Sequence, residues 1–241
     1  MSARDRLVFP LDYATLDEAR RGAALVADAV GVLKVGLELF VREGASAARI
    51  GGDYGASVFL DLKLHDIPET VERAVASATS FGVRYLTLHA SGGPKMLERA
   101  ARRAEKEDPN LVLLAVTVLT SLDGADLEAV GVPDDPASQA LRLARLALAS
   151  GVRGFVCSAS EVATLRRELG ADVTLVTPGI RPAGGDAGDQ KRVATPESAI
   201  RAGSSLLVVG RPIRDDPDPG AAARRIVDEI ARAERATRAT A

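Results

Sequence analysis

Two acids and a lysine lie close together near the end of one apolar run. They are Asp61, Lys63 and Asp66, in the pattern Asp-x-Lys-x-x-Asp. The alternation of the run predicts a β-strand over Val58–Leu64 in which Asp61 and Lys63 share one face. A lysine between two carboxylates has its charged form favoured, which suits a proton donor or electrostatic clamp and opposes a Schiff base. The same pattern would also suit a structural ion pair that fixes strand register.

The elements that must position these side chains alternate along the whole chain. Eight short apolar runs and eight longer helical patterns predict parallel strands joined by helices. At this length the α/β pattern favours a single (β/α)8 domain, a TIM barrel over residues 1–241, and an open doubly wound sheet is the alternative. The predicted strands are Leu7–Leu11, Leu33–Leu37, Val58–Leu64, Tyr85–His89, Leu111–Leu119, Gly154–Cys157, Val173–Thr177 and Leu206–Val209. The predicted helices are Leu16–Val30, Leu39–Ile50, Pro68–Phe81, Pro94–Glu107, Pro136–Ser150, Glu161–Leu169, Pro196–Ala202 and Gly220–Ala233.

Composition restricts the classes of partner. The chain has 46% hydrophobic residues, which is typical of a globular protein, and its net charge of −2 provides no electrostatic footprint for DNA or a membrane. Aromatic residues make up 3% and tryptophan is absent, which argues against stacking platforms for single-stranded nucleic acid. Neither nucleic acid nor a membrane is therefore an expected partner.

Cysteine usage and the N-terminal sequence bear on the compartment. Cys157 is the only cysteine, so no internal disulfide can form, and we expect it to be a small core residue rather than a nucleophile. The first residues lack the apolar run of a signal peptide, and no apolar segment reaches the roughly 20 residues that span a bilayer. These features predict a cytoplasmic protein.

Polar residues at other predicted strand ends should meet the two acids and the lysine, because functional residues of this barrel gather at the C-terminal ends of its strands. Asp12 follows the first strand, where it could equally be a turn or cap residue. Lys34 lies in an apolar strand, where burial requires a partner such as Asp61. Thr120 and Ser121 follow the fifth strand and could bind a polar ring or cap the next segment. The local sequence does not choose between these roles.

The loops after the last two predicted strands are typical of phosphate binding. In this fold they form the recurrent phosphate site, where glycine permits close backbone approach and arginine supplies bidentate donors. Arg181 and Arg211 are the candidates, with surface arginines in mobile loops as the alternative. The glycine-rich segment between Pro182 and Gln190 is a candidate lid.

The two histidines, His65 and His89, lie on or next to different predicted strands. Neither belongs to a cluster with metal-ligand spacing, so no metal site is predicted. We expect both to be hydrogen-bonded structural residues.

Taken in chain order, these motifs resemble those of a known enzyme family. They are Lys34-Val35-Gly36, Asp61-Leu62-Lys63-Leu64-His65-Asp66-Ile67-Pro68, Leu119-Thr120-Ser121, Thr177-Pro178-Gly179-Ile180-Arg181 and Gly210-Arg211-Pro212-Ile213. Over essentially its whole length the chain resembles orotidine 5'-phosphate decarboxylases of the bacterial type. The resemblance implies cofactor-independent decarboxylation of orotidine 5'-monophosphate (OMP) to UMP, the last step of de novo pyrimidine nucleotide synthesis.

The resemblance also implies a role for each candidate. Lys63 would donate the proton to C6, and Lys34, Asp61 and Asp66 would complete the charged network. A homodimer is implied, because Asp66, Ile67 and Thr70 would reach the active site of a partner subunit. The other implied contacts are Asp12 and Lys34 with the ribose, Thr120 or Ser121 with the pyrimidine, and Arg181, Gln190, Gly210 and Arg211 with the phosphate side.

Two departures and two alternatives accompany the resemblance. Glu69 stands where asparagine is common and Pro10 where alanine is common, both outside the chemical roles. A magnesium-dependent sugar-phosphate decarboxylase or aldolase uses a similar motif but would need a further acidic ligand. Glu38 could be nominated, although Lys34 opposes a cation there. A phosphosugar-binding scaffold without chemistry would keep Arg211 but need not keep the charged network.

Overall fold

In the described part of the chain, eight parallel strands close into a barrel, each paired with its neighbours in chain order, and the eighth pairs with the first. The computed structural model describes residues 1–182 and 194–239, except the side chains of residues 238 and 239. The predicted (β/α)8 fold is confirmed. The strands are β1 (Leu7–Pro10), β2 (Val32–Val35), β3 (Ser57–Leu64), β4 (Tyr85–His89), β5 (Val112–Val116), β6 (Gly154–Val156), β7 (Thr174–Thr177) and β8 (Leu206–Val208).

Helices surround the barrel and connect successive strands. Within the described residues they are α1 (Leu16–Val26), α2 (Leu37–Glu43), α3 (Ala45–Ala48), α4 (Pro68–Thr79), α5 (Pro94–Glu107), α6 (Gly124–Ala129), α7 (Pro136–Ala149), α8 (Val162–Leu169), α9 (Pro196–Ala202), α10 (Arg211–Arg214) and α11 (Pro219–Ala239). None of these helices is long and apolar enough to cross a lipid bilayer.

Local chemistry explains where the helices begin. Thr15 precedes α1, and its hydroxyl accepts the backbone N–H of Glu18 while the Glu18 carboxylate accepts the N–H of Thr15. This reciprocal capping satisfies two N–H groups that the first turn of a helix leaves unpaired. Proline occupies the first turn of α4, α5, α7 and α9, where its missing N–H costs nothing.

The barrel interior is apolar at its floor. One buried cluster takes a side chain from most strands and fills the lumen. Its members are Val8, Val32, Phe59, Tyr85, Leu114, Val176 and Leu206. A larger cluster lies between the strands and the helices outside them. Charged groups at the C-terminal end of the strands therefore lie above a buried apolar layer, where electrostatic interactions are stronger than in water.

The structure differs from the predictions mainly at element ends. The predicted helix over Leu39–Ile50 is divided between α2 and α3 at Gly44, whose φ of 57° no right-handed helix accommodates. The predicted strand Leu33–Leu37 stops at Val35, because Leu37 already begins α2. The short helices α6 and α10 were not predicted. Periodicity over four to six residues is too brief to distinguish a helical turn from a loop.

Candidate active site

Four charged side chains of alternating sign lie next to one another at the C-terminal end of the barrel. They are Asp12, Lys34, Asp61 and Lys63, and together they are called the charged chain below. Lys63 Nζ lies 2.9 Å from Asp61 Oδ1. Lys34 Nζ lies 3.5 Å from Asp61 Oδ2 and 3.5 Å from Asp12 Oδ1. The predicted pairing of Lys34 with Asp61 is confirmed. The order Asp12, Lys34, Asp61, Lys63 links the ends of three adjacent strands.

Asp61 is the centre of this chain. Its side chain is 13% exposed and sits between the two lysines. Burial raises the pKa of Asp61, but attraction to Lys34 and Lys63 and the hydrogen bonds to its carboxylate outweigh burial and hold the pKa below its ordinary value. Asp61 is therefore an anion at neutral pH.

The backbone at Lys63 departs from regular strand geometry. Lys63 has φ 52° and is the only non-glycine residue with positive φ in the part of the chain that is described. The pairing of β3 with β4 shifts register between Leu60 and Leu64. A left-handed conformation costs an L-residue about 1–2 kcal/mol, so surrounding contacts must hold it. The alternation of apolar and charged residues in β3 does not reveal this positive φ or the shift in register.

Thr87 on β4 is a polar contact of this region that the sequence analysis missed. Its hydroxyl accepts the backbone N–H of Lys63 at 2.8 Å and donates to Asp61 Oδ1 at 3.0 Å. Thr87 is fully buried. The sequence feature that could have indicated it is a hydroxyl residue within the apolar run Tyr85–His89, on the strand next to β3.

Asp66 lies apart from the charged chain. It is exposed, and its Oδ1 accepts the backbone N–H of Ile67 at 2.6 Å. Within the described residues of one chain, Asp61 is the only carboxylate paired with Lys63. In the single chain Lys63 thus has one carboxylate neighbour and not the two that the spacing predicted. The reason is that β3 ends at Leu64 and Asp66 follows in the loop that leaves the barrel.

Two adjoining cavities open beside the charged chain and share Lys34 and Asp61. The deeper one, of about 160 Å³, is lined by Lys63, by Thr120 and by apolar side chains from the later strands. It is suited to a flat ring with a few polar groups. Ser121 is exposed and is not part of the deeper lining.

The second cavity, of about 310 Å³, is lined by Arg181, Gly210 and Arg211, which were predicted on the phosphate side, and by Asp12, which was predicted at the ribose. Arg214, which was not predicted, also lines it. Arg214 lies one helical turn after Arg211, and this i, i+3 spacing was the signal available in the sequence. Several guanidinium groups around one cavity favour an anionic ligand such as a phosphate. Gln190 and the predicted lid between Pro182 and Gln190 lie outside the described residues.

Pro10, one of the two departures from the family pattern, lines this second cavity. A Cβ added at Gly210 would lie 3.0 Å from Pro10 Cγ, so the glycine leaves room for the proline ring. Glu69, the other departure, lies on the exposed face of α4 and pairs with Arg73. Pro10 is paired with Lys34 in the register of β1 and β2, so it adjoins the charged chain through the backbone.

The two histidines and Cys157 are the other residues that the sequence singled out. The rings of His65 and His89 lie 5.5 Å apart between centroids. Burial, followed by the charges of His65 and Lys63, lowers the pKa of His89, so this imidazole is neutral at pH 7. Cys157 is fully buried, as predicted, and burial raises the pKa of its thiol well above the ordinary value. Among the described residues, no group of three or more His, Cys, Asp or Glu is arranged to hold a metal ion.

Comparison with known proteins agrees with this geometry. Residues 5–226 match the orotidine 5'-phosphate decarboxylase / HUMPS family. An orotidine 5'-phosphate decarboxylase of Anaeromyxobacter sp. (strain K) is 53% identical over 226 residues, 94% of this chain and 98% of that protein. One of Thermobifida fusca (strain YX) is 50% identical over 91% of this chain and 93% of that protein. The crystal structure of orotidine 5'-phosphate decarboxylase from Lactobacillus acidophilus has a TM-score of 0.83 and 35% identity, covering 93% of this chain and 98% of that one. The chain belongs to the orotidine 5'-phosphate decarboxylase / HUMPS family.

Proposed function

We propose that the chain decarboxylates OMP to UMP without a cofactor, as the last step of de novo pyrimidine nucleotide synthesis. The observation that carries the proposal is the alternating chain from Asp12 to Lys63, which lies beside both an apolar cavity and an arginine-lined one. The relatives named orotidine 5'-phosphate decarboxylase support the same activity. A cytoplasmic location is part of the proposal, supported by this metabolic role and by the unpaired Cys157.

The chemistry follows from what the reaction requires. Loss of CO2 from C6 of the pyrimidine leaves a carbanion without an obvious conjugated sink, so the site must stabilise the developing negative charge with groups already in place. The Lys63 ammonium group, held 2.9 Å from Asp61, supplies that positive charge. It then donates a proton to C6, which completes formation of UMP.

Asp61 has a second effect on the bound substrate. With the pyrimidine in the deeper cavity, which Lys63 and Asp61 both line, the carboxylate at C6 would lie close to the Asp61 anion. Repulsion between the two carboxylates raises the energy of the ground state and is relieved when CO2 leaves. The low pKa of Asp61 keeps this repulsion in place across the neutral pH range.

The second cavity provides binding energy away from the reacting carbon. We assign the ribose to Asp12 and Lys34, the pyrimidine to Thr120 or Ser121, and the phosphate to Arg181, Gln190, Gly210 and Arg211. Energy from the phosphate contacts can be used to hold the pyrimidine against Asp61 and Lys63, so these contacts contribute to the rate as well as to affinity.

A magnesium-dependent sugar-phosphate decarboxylase or aldolase is the less favoured function. It would need an acidic ligand near the end of β2, and Glu38 is exposed in the first turn of α2. Lys34 already pairs with Asp12 and Asp61 beside that strand end, and its charge opposes a second cation. The test is the fall in absorbance when purified protein is mixed with OMP in EDTA. Turnover that required added magnesium would contradict the proposal.

Replacing Arg211 with alanine should raise the KM for OMP about 10- to 100-fold, because a charged hydrogen bond to phosphate contributes about 1.5–3 kcal/mol. Steady-state kinetics against OMP measures the change. Arg167→Ala is a suitable control, since that side chain is 69% exposed on α8. A wild-type KM in Arg211→Ala would remove Arg211 from the phosphate site.

The active enzyme is proposed to be a homodimer in which Asp66, Ile67 and Thr70 reach the site of the partner subunit. These residues are exposed in the single chain, and Ile67 is 66% exposed, which is unusual for so large an apolar side chain. The neighbouring helix α2 exposes Leu37 and Val41 as well. Burial of these apolar groups against a second copy would stabilise a two-fold dimer and bring a second carboxylate to Lys63.

Mixing two inactive variants tests this arrangement. Lys63→Ala and Asp66→Asn each remove one group, but a mixed dimer would retain one complete site, made of Lys63 from one subunit and Asp66 from the other. Random exchange of equal amounts makes half of the dimers mixed, so activity should recover to about a quarter of the wild-type value. The assay is OMP turnover after subunit exchange in mild denaturant. Asp66→Asn mixed with itself is the control, and a 1:1 mixture without recovery would contradict the shared site.

A further inference from the structure

The side chain of Thr87 joins the two groups proposed to carry the chemistry. Its hydroxyl oxygen accepts the Lys63 backbone N–H at 2.8 Å, and its proton is directed to Asp61 Oδ1 at 3.0 Å. The same Oδ1 accepts the Lys63 ammonium group at 2.9 Å. Thr87 therefore contacts the backbone of one residue and the carboxylate of the other at the same time.

The irregular part of β3 explains why such a contact is needed. Regular pairing of β3 with β4 is interrupted between Leu60 and Leu64, and the Lys63 N–H is bonded to the Thr87 side chain. A buried N–H without an acceptor would cost about 1–3 kcal/mol, in addition to the strain of the positive φ. The Thr87 hydroxyl therefore stabilises the backbone conformation from which the Lys63 side chain reaches Asp61.

We infer that Thr87 is a positioning residue, whose hydroxyl holds the Lys63 backbone and the Asp61 carboxylate in the geometry that decarboxylation requires. The inference rests on the proposed roles of Asp61 and Lys63. Thr87 lines neither cavity in the described part of the chain, so it acts through the other two residues and not through substrate. Loss of its hydroxyl should therefore affect turnover more than binding.

The hydroxyl also favours the charged form of Asp61. The charged or titratable groups that face Asp61 are Lys34 from β2, Lys63 from β3 and His89 from β4, and Asp12 lies beyond Lys34. Each of them remains when only the Thr87 hydroxyl is removed. Because a donor to the carboxylate lowers its pKa, removal of the donor should raise the pKa of Asp61. The acid limb of the kcat/KM profile should then move to higher pH.

Thr87→Val and Thr87→Ser are the matched pair that tests the inference in the full chain. Valine keeps the shape and removes the hydroxyl, whereas serine keeps the hydroxyl and removes one methyl group. In Thr87→Val we expect kcat to fall about 10- to 100-fold, with the KM for OMP and the Kd for UMP changed less than about threefold. Thr87→Ser should stay within about threefold of wild type in kcat. If the valine variant does not fold, Thr87→Ala replaces it in the same comparison.

The outcomes separate this inference from the proposed function. The positioning role would be overturned if the variant without the hydroxyl kept the wild-type kcat and the wild-type acid limb in its pH profile of kcat/KM. This holds even if the melting temperature of the variant fell. Equal loss in the serine and valine variants would also overturn it, because the hydroxyl would not be the determinant. Wild-type protein that does not consume OMP, or Lys63→Ala that retains full turnover, would instead refute the proposed function.

Discussion

Lys63→Ala should lose at least about 10⁴-fold in kcat while it still folds and binds UMP. General acid catalysis contributes about 10²–10⁴-fold and a preorganised charge about 10²–10³-fold, and this substitution removes both from the same atom. Lys34 cannot take over, because its ammonium group is held between Asp12 and Asp61. The measurements are OMP turnover over long incubation, calorimetric titration with UMP and a thermal melt.

Lys106→Ala is the matched control for this variant, since Lys106 is exposed in the last turn of α5. The control should keep wild-type turnover and UMP binding. Turnover by Lys63→Ala within tenfold of wild type, with folding intact, would contradict the role of Lys63 as cation and proton donor.

The second large effect is expected for Asp61→Asn, with kcat reduced about 10³-fold. The neutral amide cannot hold two ammonium groups, so Lys34 and Lys63 would repel each other across it. The substitution also removes the repulsion proposed to act on the substrate carboxylate. Single-turnover measurements with OMP separate this loss of chemistry from any change in binding. Asp53→Asn, at an exposed position before β3, should leave the rate unchanged.

The same variant should alter the pH dependence of stability. The pKa of Asp61 is lower in the folded chain than its ordinary value, so ionised Asp61 adds stability above that ordinary value. This contribution is lost as the pH falls through the lowered pKa. The difference in melting temperature between wild type and Asp61→Asn should therefore be larger at pH 7 than near pH 3. An equal difference in melting temperature at pH 7 and near pH 3 would mean that folding does not lower the pKa of Asp61.

The barrel was predictable from local patterns because its strands and helices are repeated units with different hydrophobic periods. Eight buried parallel strands leave eight short apolar runs, and the helices that cover them leave amphipathic stretches between. The ends of the elements were less predictable. Gly44 divides one helical stretch, and Leu37 belongs to a helix although it continues an apolar run.

The sequence by itself determined which charged residues could act together. Asp61, Lys63, Lys34 and Arg211 were recognisable because charge is costly in buried strands and because strand ends meet at one end of a barrel. Only the tertiary structure placed Thr87 next to the Lys63 backbone, gave Lys63 its positive φ and put Asp66 outside the charged chain. These features depend on the register between β3 and β4 and on where β3 ends. Register and chain exit are set by contacts between distant segments, which spacing within one segment does not encode.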